Sequence, residues 1–305
     1  MMRTFGAECD IRVASAWLAA DAEQLRADGT SGVARIERQY PEWDHPLVAG
    51  GDFPPRGVTR VRADNAAPLT LDGTNTYVVA GWVVDPGPED KGHLEKVFEA
   101  VSAHGSPAGI VLTHGHPDHS EGADELARRA GGIPVVRPSG GERVGPFGVI
   151  ATPGHSPDHV CLLLGRVLFT GDTVLGAGSV FLTPGEGALS AYLGSLRRLL
   201  ELDPEALCPG HGPFVWRPRE RIEELLAHRI ERERGLVAGL EAGARSVDEL
   251  LDAAWSEVPD ELRAAATLTL AAHLDKLAEE ERLPEGVERP ALPASMDEAS
   301  RVERP

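Results

Sequence analysis

The chain has 305 residues, 42% of them hydrophobic and 26% charged, enough to bury one large core or two modest ones. Thirty Lys and Arg against 48 Asp and Glu leave a formal charge of -18, a field that repels phosphate backbones and disfavours broad nucleic-acid affinity. No apolar run reaches the ~18 residues of a membrane span, and Glu8 and Asp10 stand where a signal peptide would need its apolar core, so a cytoplasmic location without a membrane partner is expected.

Residues 1–50 read as an N-terminal extension: one weakly amphipathic stretch (Ile11, Leu18, Leu25), then the turn-rich "QYPEWDHPLVAGGDFPPRG". From 51 to 216 short strands alternate with Gly and Pro. "VTRVRA" alternates, "TYVVAGWVVD" reads as two strands joined at Gly81, and "GIVLT" (109–113) suits a buried strand. Residues 89–104 and 120–131 are helical in composition, the second stopping at Gly131-Gly132, and "IPVV" follows as a strand. "VIATPG", "HVCLLLG" and "RVLFTGD" give three more strands, 189–201 is helical, and "EALCPGHG" closes the region. Strands mixed with helices, several of them adjacent hairpins, predict a layered α/β domain instead of a doubly wound one.

Residues 217–290 are helical. Ile222, Leu225, Leu226 and Ile230 share one face of a helix over 218–234. Ser246 with Glu249 is a capping-box signature for a helix from 247, and a third helix is expected near 260–280. With "RLPEGVERP" as a turn or wing, this segment resembles a winged-helix module. Residues 291–305 read as a frayed tail.

The three cysteines (Cys9, Cys161, Cys208) are too few and scattered for a disulfide framework or a thiolate zinc site. Histidine carries the chemistry instead. "THGHPDH" (113–119) places His114, His116, Asp118 and His119 within six positions. In an extended segment His114 and His116 project to the same side, and Asp118 with His119, after a turn at Pro117, can face a second point. Each divalent zinc wants about four ligands, so further donors should stand at later strand ends. His155 in "TPGHSPDH", Asp172 in "LFTGDT" and His211 in "CPGHGP" do so, and Asp172 suits a carboxylate between two metals.

His114-x-His116-x-Asp118-His119, then His155, Asp172 and His211 in order, resembles the metallo-β-lactamase-fold hydrolases over roughly 58–216. "LTLDGTNTYVV", "TPGHSPDHV" and "CPGHGP", followed by a helical module, narrow the resemblance to the lactamase-β-like group, which includes single-strand endoribonucleases and polyketide-associated thioesterases. The resemblance implies an αββα sandwich with a small winged-helix-like C-terminal domain. It also implies two divalent metal ions, one held by His114, His116 and His155 and the other by Asp118, His119 and His211, with Asp172 bridging. Zinc suits His and Asp donors best; manganese and iron are alternatives.

The mechanism expected is attack by a metal-bound hydroxide, the water pKa falling from 15.7 to about 7. Asp118 would orient the nucleophile. His159 is read either as a proton donor to the leaving group or as support for a ligand. The "DGTNTY" turn lines the cleft or is a plain hairpin turn. The arginines of 217–234, interleaved with glutamates, read as a solvated face, and His45, His93, His104, His228 and His273 as surface or packing residues. A thioester or other small acyl ester is the favoured substrate, and single-stranded RNA the runner-up. A third reading, a metal-sensing DNA-binding regulator, needs a basic recognition helix, whereas 260–280 is acidic. Packing of the C-terminal module on the core or on another subunit leaves a homodimer open.

Overall fold

The computed structural model describes residues 52–103, 105–182, 184–185 and 187–291. The extension at 1–50, the tail beyond 291, His45 and His104 lie outside the described residues.

The apolar runs of the first half make strands β1 (Thr59–Arg62), β2 (Asn75–Val79) and β3 (Trp82–Val84), an antiparallel meander. Ala80 and Gly81 join β2 to β3 with positive φ of 50° and 77°, the twist that a two-residue hairpin demands. Helix α1 (Lys91–Ala103) crosses to β4 (Gly109–Val111), parallel to β3, and β5 (Val135–Val136) completes the sheet in the order β1-β2-β3-β4-β5. Between β4 and β5 lie α2 (Pro117–Ser120) and α3 (Ala123–Arg129). The single helix expected over 120–131 is thus two pieces. Gly122 divides them, its N–H drawn away to the Gly87 carbonyl at 2.9 Å.

The second sheet comprises β6 (Arg143–Val144), β7 (Phe147–Ala151), β8 (Val160–Leu164), β9 (Val167–Gly171) and β10 (Ala206–Pro209), in the order β10-β9-β8-β7-β6. Only β10, reached through helix α4 (Ala188–Glu201), runs parallel to its neighbour. The facing sheets meet through edge-on aromatic pairs, Tyr77–Phe169 at 5.4 Å and Trp82–Phe147 at 6.5 Å between centroids, and Phe147–Phe169 at 5.6 Å links them within the second sheet. On the outer faces, Val78, Val83 and Ile110 pack under Leu94 and Val97 of α1, and Leu168 and Leu207 under Leu196 of α4. Each such side chain contributes about 1.5–3 kcal/mol by leaving water. The layers run helix–sheet–sheet–helix, the αββα sandwich expected.

The C-terminal segment holds α5 (Pro218–Glu241), α6 (Val247–Trp255), a 3-10 turn (Asp260–Leu262) and α7 (Arg263–Glu279) around Leu236, Leu250, Leu270 and Leu274. Helix α5 continues seven residues past the expected 234 because its glycines serve packing. A Cβ on Gly239 would lie 2.7 Å from Ala253 Cβ, and one on Gly235 3.2 Å from the Ala253 carbonyl. "RLPEGVERP" forms a turn pinned to the start of α6 by Glu288 N to Arg245 O at 2.8 Å and Val247 N to Glu288 Oε2 at 3.0 Å. No strand follows Pro209 among the described residues. Likewise, no helix among them is long and apolar enough to cross a membrane.

The capping box is formed as expected: Ser246 Oγ accepts from Glu249 N at 3.4 Å, and Glu249 Oε2 from Ser246 N at 3.0 Å. Ser246→Ala is expected to lower stability by about 1 kcal/mol, read as a shift of the urea midpoint; an unmoved midpoint would deny the cap any role.

Candidate metal centre

Seven side chains read from the sequence as ligands come together where strands end. His114 and His116 follow β4, Asp118 and His119 lie in α2, His155 in the β7–β8 loop, Asp172 after β9 and His211 after β10. His116 Nδ1 stands 3.0 Å from His114 Nε2 and 2.9 Å from His155 Nε2. In the second group, His211 Nε2 is 3.3 Å from both His119 Nε2 and Asp118 Oδ2. Asp172 lies between the two: its Oδ2 is 3.5 Å from His155 Nε2 and 3.5 Å from His211 Nε2.

A ring of partners turns these imidazoles inward. His155 Nδ1 donates to the Phe181 carbonyl at 3.1 Å, and His211 Nδ1 faces the Gly73 carbonyl at 3.3 Å. Asp85, which the sequence reading missed, accepts from Thr113 N at 2.7 Å and Thr113 Oγ1 at 2.6 Å, and pairs with His119 Nδ1 at 3.0 Å. Because the Thr113 hydroxyl donates to Asp85, its oxygen receives the proton of His114 Nδ1 at 3.0 Å. One carboxylate therefore sets two tautomers. The signal available was its place at the end of the apolar run "WVVDPG", the context shared by Asp172.

His159 is fully buried with both ring nitrogens engaged. Nε2 accepts the Asp172 backbone N–H at 3.0 Å, and Nδ1 meets Thr152 Oγ1 at 2.9 Å and Thr173 Oγ1 at 3.0 Å. No nitrogen is left to reach a leaving group, whereas the hold on Asp172 is direct. The "DGTNTY" turn reaches the site: Thr74 Oγ1 donates to Asp118 Oδ2 at 3.3 Å, and Asn75 Nδ2 to the carbonyls of Pro209 and Gly212 at 3.0 and 2.8 Å.

The donor set fits metal ions. Imidazole nitrogens confront one another at contact distance, Asp172 Oδ1 is buried without a hydrogen-bond partner, and the His/Asp clusters have ligand spacing. Beyond Asp172 opens a cleft of about 260 Å³, lined by loop residues such as Leu69, Leu175 and Phe181 and walled by Arg229, Trp255 and Thr269 of the C-terminal helices.

Residues 134–211 match the metallo-beta-lactamase superfamily, and residues 246–285 the beta-lactamase associated winged helix domain. The chain is 30% identical over 255 residues to the beta-lactamase-like protein 2 homolog of Caenorhabditis elegans, an alignment covering 73% of this chain and 84% of that protein. The chain belongs to the metallo-β-lactamase superfamily. It is also similar to an atrochrysone carboxyl ACP thioesterase of Aspergillus fumigatus, 28% identical over 66% of this chain and 74% of the relative. Among solved structures, a metallo-beta-lactamase family protein of Thermus thermophilus superposes with a TM-score of 0.59 at 26% identity, covering 74% of this chain and 94% of that one. This superfamily member is accordingly a metal-dependent hydrolase, and its C-terminal helices are the associated winged helix domain.

In the metal-free protein the two groups of the metallo-β-lactamase site differ in charge. Burial pushes His155 down to about 4 and holds His114 and His116 below the ordinary imidazole range, so this group is neutral. Burial alone would lower His211 too, but the Asp172 and Asp118 carboxylates outweigh it and raise His211 to about 9. Burial would raise Asp118, yet His119 and His211 beside it bring it down to about 2.

In chelator-treated protein the raised His211 stabilises the fold fully below its ordinary value of 6.5 and loses that contribution as pH climbs through about 9. The urea midpoint of that protein is expected to fall between these two pH values; a midpoint that rises would contradict the ion pairing. Gly210 approaches so closely that a Cβ there would lie 2.6 Å from His119 Cε1 and would collide with Asp172 Oδ1. Gly210→Ala is expected to retain less metal than the parent by elemental analysis; equal content would show that the site yields.

Proposed function

We propose that this chain hydrolyses thioesters or other small acyl esters at a binuclear metal centre. The observation that carries the reading is Asp172 Oδ2, 3.5 Å from a histidine of each group. His114, His116 and His155 would hold one ion, Asp118, His119 and His211 the other, and Asp172 both. Two divalent ions there, Zn2+ by the preference of His and carboxylate donors, would acidify a shared water and stabilise charge on a carbonyl oxygen.

The chain's own residues do the rest. Asp118 keeps 29% of its side chain exposed against 8% for Asp172, so it is the acid that touches water and orients the nucleophile. His159 acts as a positioning residue, holding the Asp172 backbone. The apolar lining of the cleft accepts an acyl chain, and the thioesterase relative points to the same substrate class. Residues 51–216 would form the catalytic domain, and 217–290 the winged-helix-like module that walls the cleft.

RNA is less well served. Arg217, Arg219, Arg221 and Arg232 pair with Glu220, Asp203, Glu224 and Glu257, which neutralises most of the basic side chains over 217–234. The test is kcat/KM on acyl N-acetylcysteamine thioesters and on labelled single-stranded RNA. Parent protein is expected to carry about two metal equivalents and to turn over thioesters. Asp172→Asn should fall by more than about 100-fold, beyond the loss of an outer partner. RNA cleavage abolished by His116→Ala, with no thioester turnover in the parent, would sink the proposal.

A further inference from the structure

We propose that the far wall of the cleft is an anion subsite, built on Arg229, which takes a carboxylate carried by the acyl part of the substrate. The substrate class rests on the acyl-hydrolase reading; the subsite itself rests on the side chains. Sequence alone places Arg229 on a solvated helix face, and the structure corrects this: the side chain is 2% exposed. Its guanidinium turns inward over the Tyr192 ring, with the central carbon 5.3 Å from the centroid.

Arg229 Nη2 donates to the Val180 carbonyl, and Nε is buried with no partner. No carboxylate pairs with this guanidinium among the described residues, whereas Arg232 one turn away pairs with Glu257. The neighbouring His228, Arg232 and His273 add no negative charge. Arg232 Nε donates to His228 Nε2 at 3.1 Å, His228 Nδ1 has no partner, and His273 beneath them has none on either nitrogen. Among the described residues the only acid lining the cleft is Asp172, already among the histidines. A buried guanidinium without a counter-charge is unfavourable unless an anion arrives, and its planar fork matches a carboxylate.

Position supports the same assignment. Val180 O holds Arg229 while the adjacent Phe181 O holds His155, so successive residues, about 3.8 Å apart, anchor the arginine and a metal-site histidine. Leu175, Phe181 and Ala266 line the space between the two ends of the cleft and suit a short methylene chain.

The test compares glutaryl and pentanoyl N-acetylcysteamine thioesters, equal in length and differing by the terminal carboxylate. Parent protein should prefer glutaryl by about 10-fold or more in kcat/KM, the scale of a charged hydrogen bond. Arg229→Met should bring the ratio towards one, and Arg229→Lys should keep part of it. A merely structural role would slow both thioesters alike and leave the ratio unmoved, which overturns the proposal. Calorimetry with free glutarate and pentanoate on the protein as purified gives a second readout. Glutarate binding lost in Arg229→Met, with neither thioester turned over, would retain the subsite and reject acyl hydrolysis. Equal kcat/KM for the pair, with glutarate binding no tighter than pentanoate, overturns the subsite. An Arg229-dependent preference for pentanoyl-coenzyme A over pentanoyl N-acetylcysteamine, without a glutaryl preference, would move the anion to the thiol side and overturn the acyl assignment.

Discussion

The centre depends on holding an ionised carboxylate, Asp172, inside protein. Burial alone would favour its protonated form; in the metal-free protein the positive charges of His211 and His119 outweigh that and keep the group well below the usual carboxylate range. The backbone serves the same end. Gly171 takes a left-handed φ of 44°, and a Cβ there would lie 2.7 Å from His159 Nε2, so the turn that presents Asp172 requires glycine. His159 then receives the Asp172 N–H, and Thr152 and Thr173 fix the imidazole.

Each group flanking Asp172 draws on both sheets, His114, His116, Asp118 and His119 following β4 of the first and His155 and His211 coming from the second, so the spacing within each group is only as firm as the contact between the sheets. Asn75 and Tyr77 provide that contact on the His211 side. Both reach from β2 to the Pro209 carbonyl, Tyr77 through a 2.7 Å bond from its hydroxyl. Asp85 fixes the residues that follow β4, binding Thr113 and His119 across the end of the first sheet. The aromatic seam of Tyr77, Phe147 and Phe169 lies beneath. A displacement of a few tenths of an ångström in any of these would be felt as a change in ligand spacing.

The residues of the proposed ligand set stood out in the sequence because His114, His155, Asp172 and His211 follow apolar runs beside Gly or Pro, and His116, Asp118 and His119 crowd the same loop as His114. That context is local and survives without knowledge of the fold. Asp85 has the same context, but its neighbours Pro86 and Gly87 read as an ordinary turn, and its importance comes from Thr113 and His119, 28 and 34 positions on. The strands were legible from apolar runs, whereas the end of α5 was not, because Gly235 and Gly239 act through contact with Ala253. Arg229 was hidden for a similar reason. Glu231 and Arg234 beside it in sequence are exposed, and the crossing of α5 over Tyr192 buries Arg229.

Helix α5 belongs to two cores, with α7 joining it in both through Ala272 on one side and Leu270 and Leu274 on the other. Ile222, Leu225 and Leu226 pack with the second sheet and α4, while Leu236 and Leu240 pack with α6 and α7. Its 24 residues form a rod of about 36 Å without a Pro beyond its first position. Two cores that share an axle cannot hinge freely, nor can one melt and leave the other's surface intact. The catalytic sandwich and the helices that wall its cleft therefore behave as a single cooperative unit, and a cut at the apparent domain boundary would split a helix from half of what it covers.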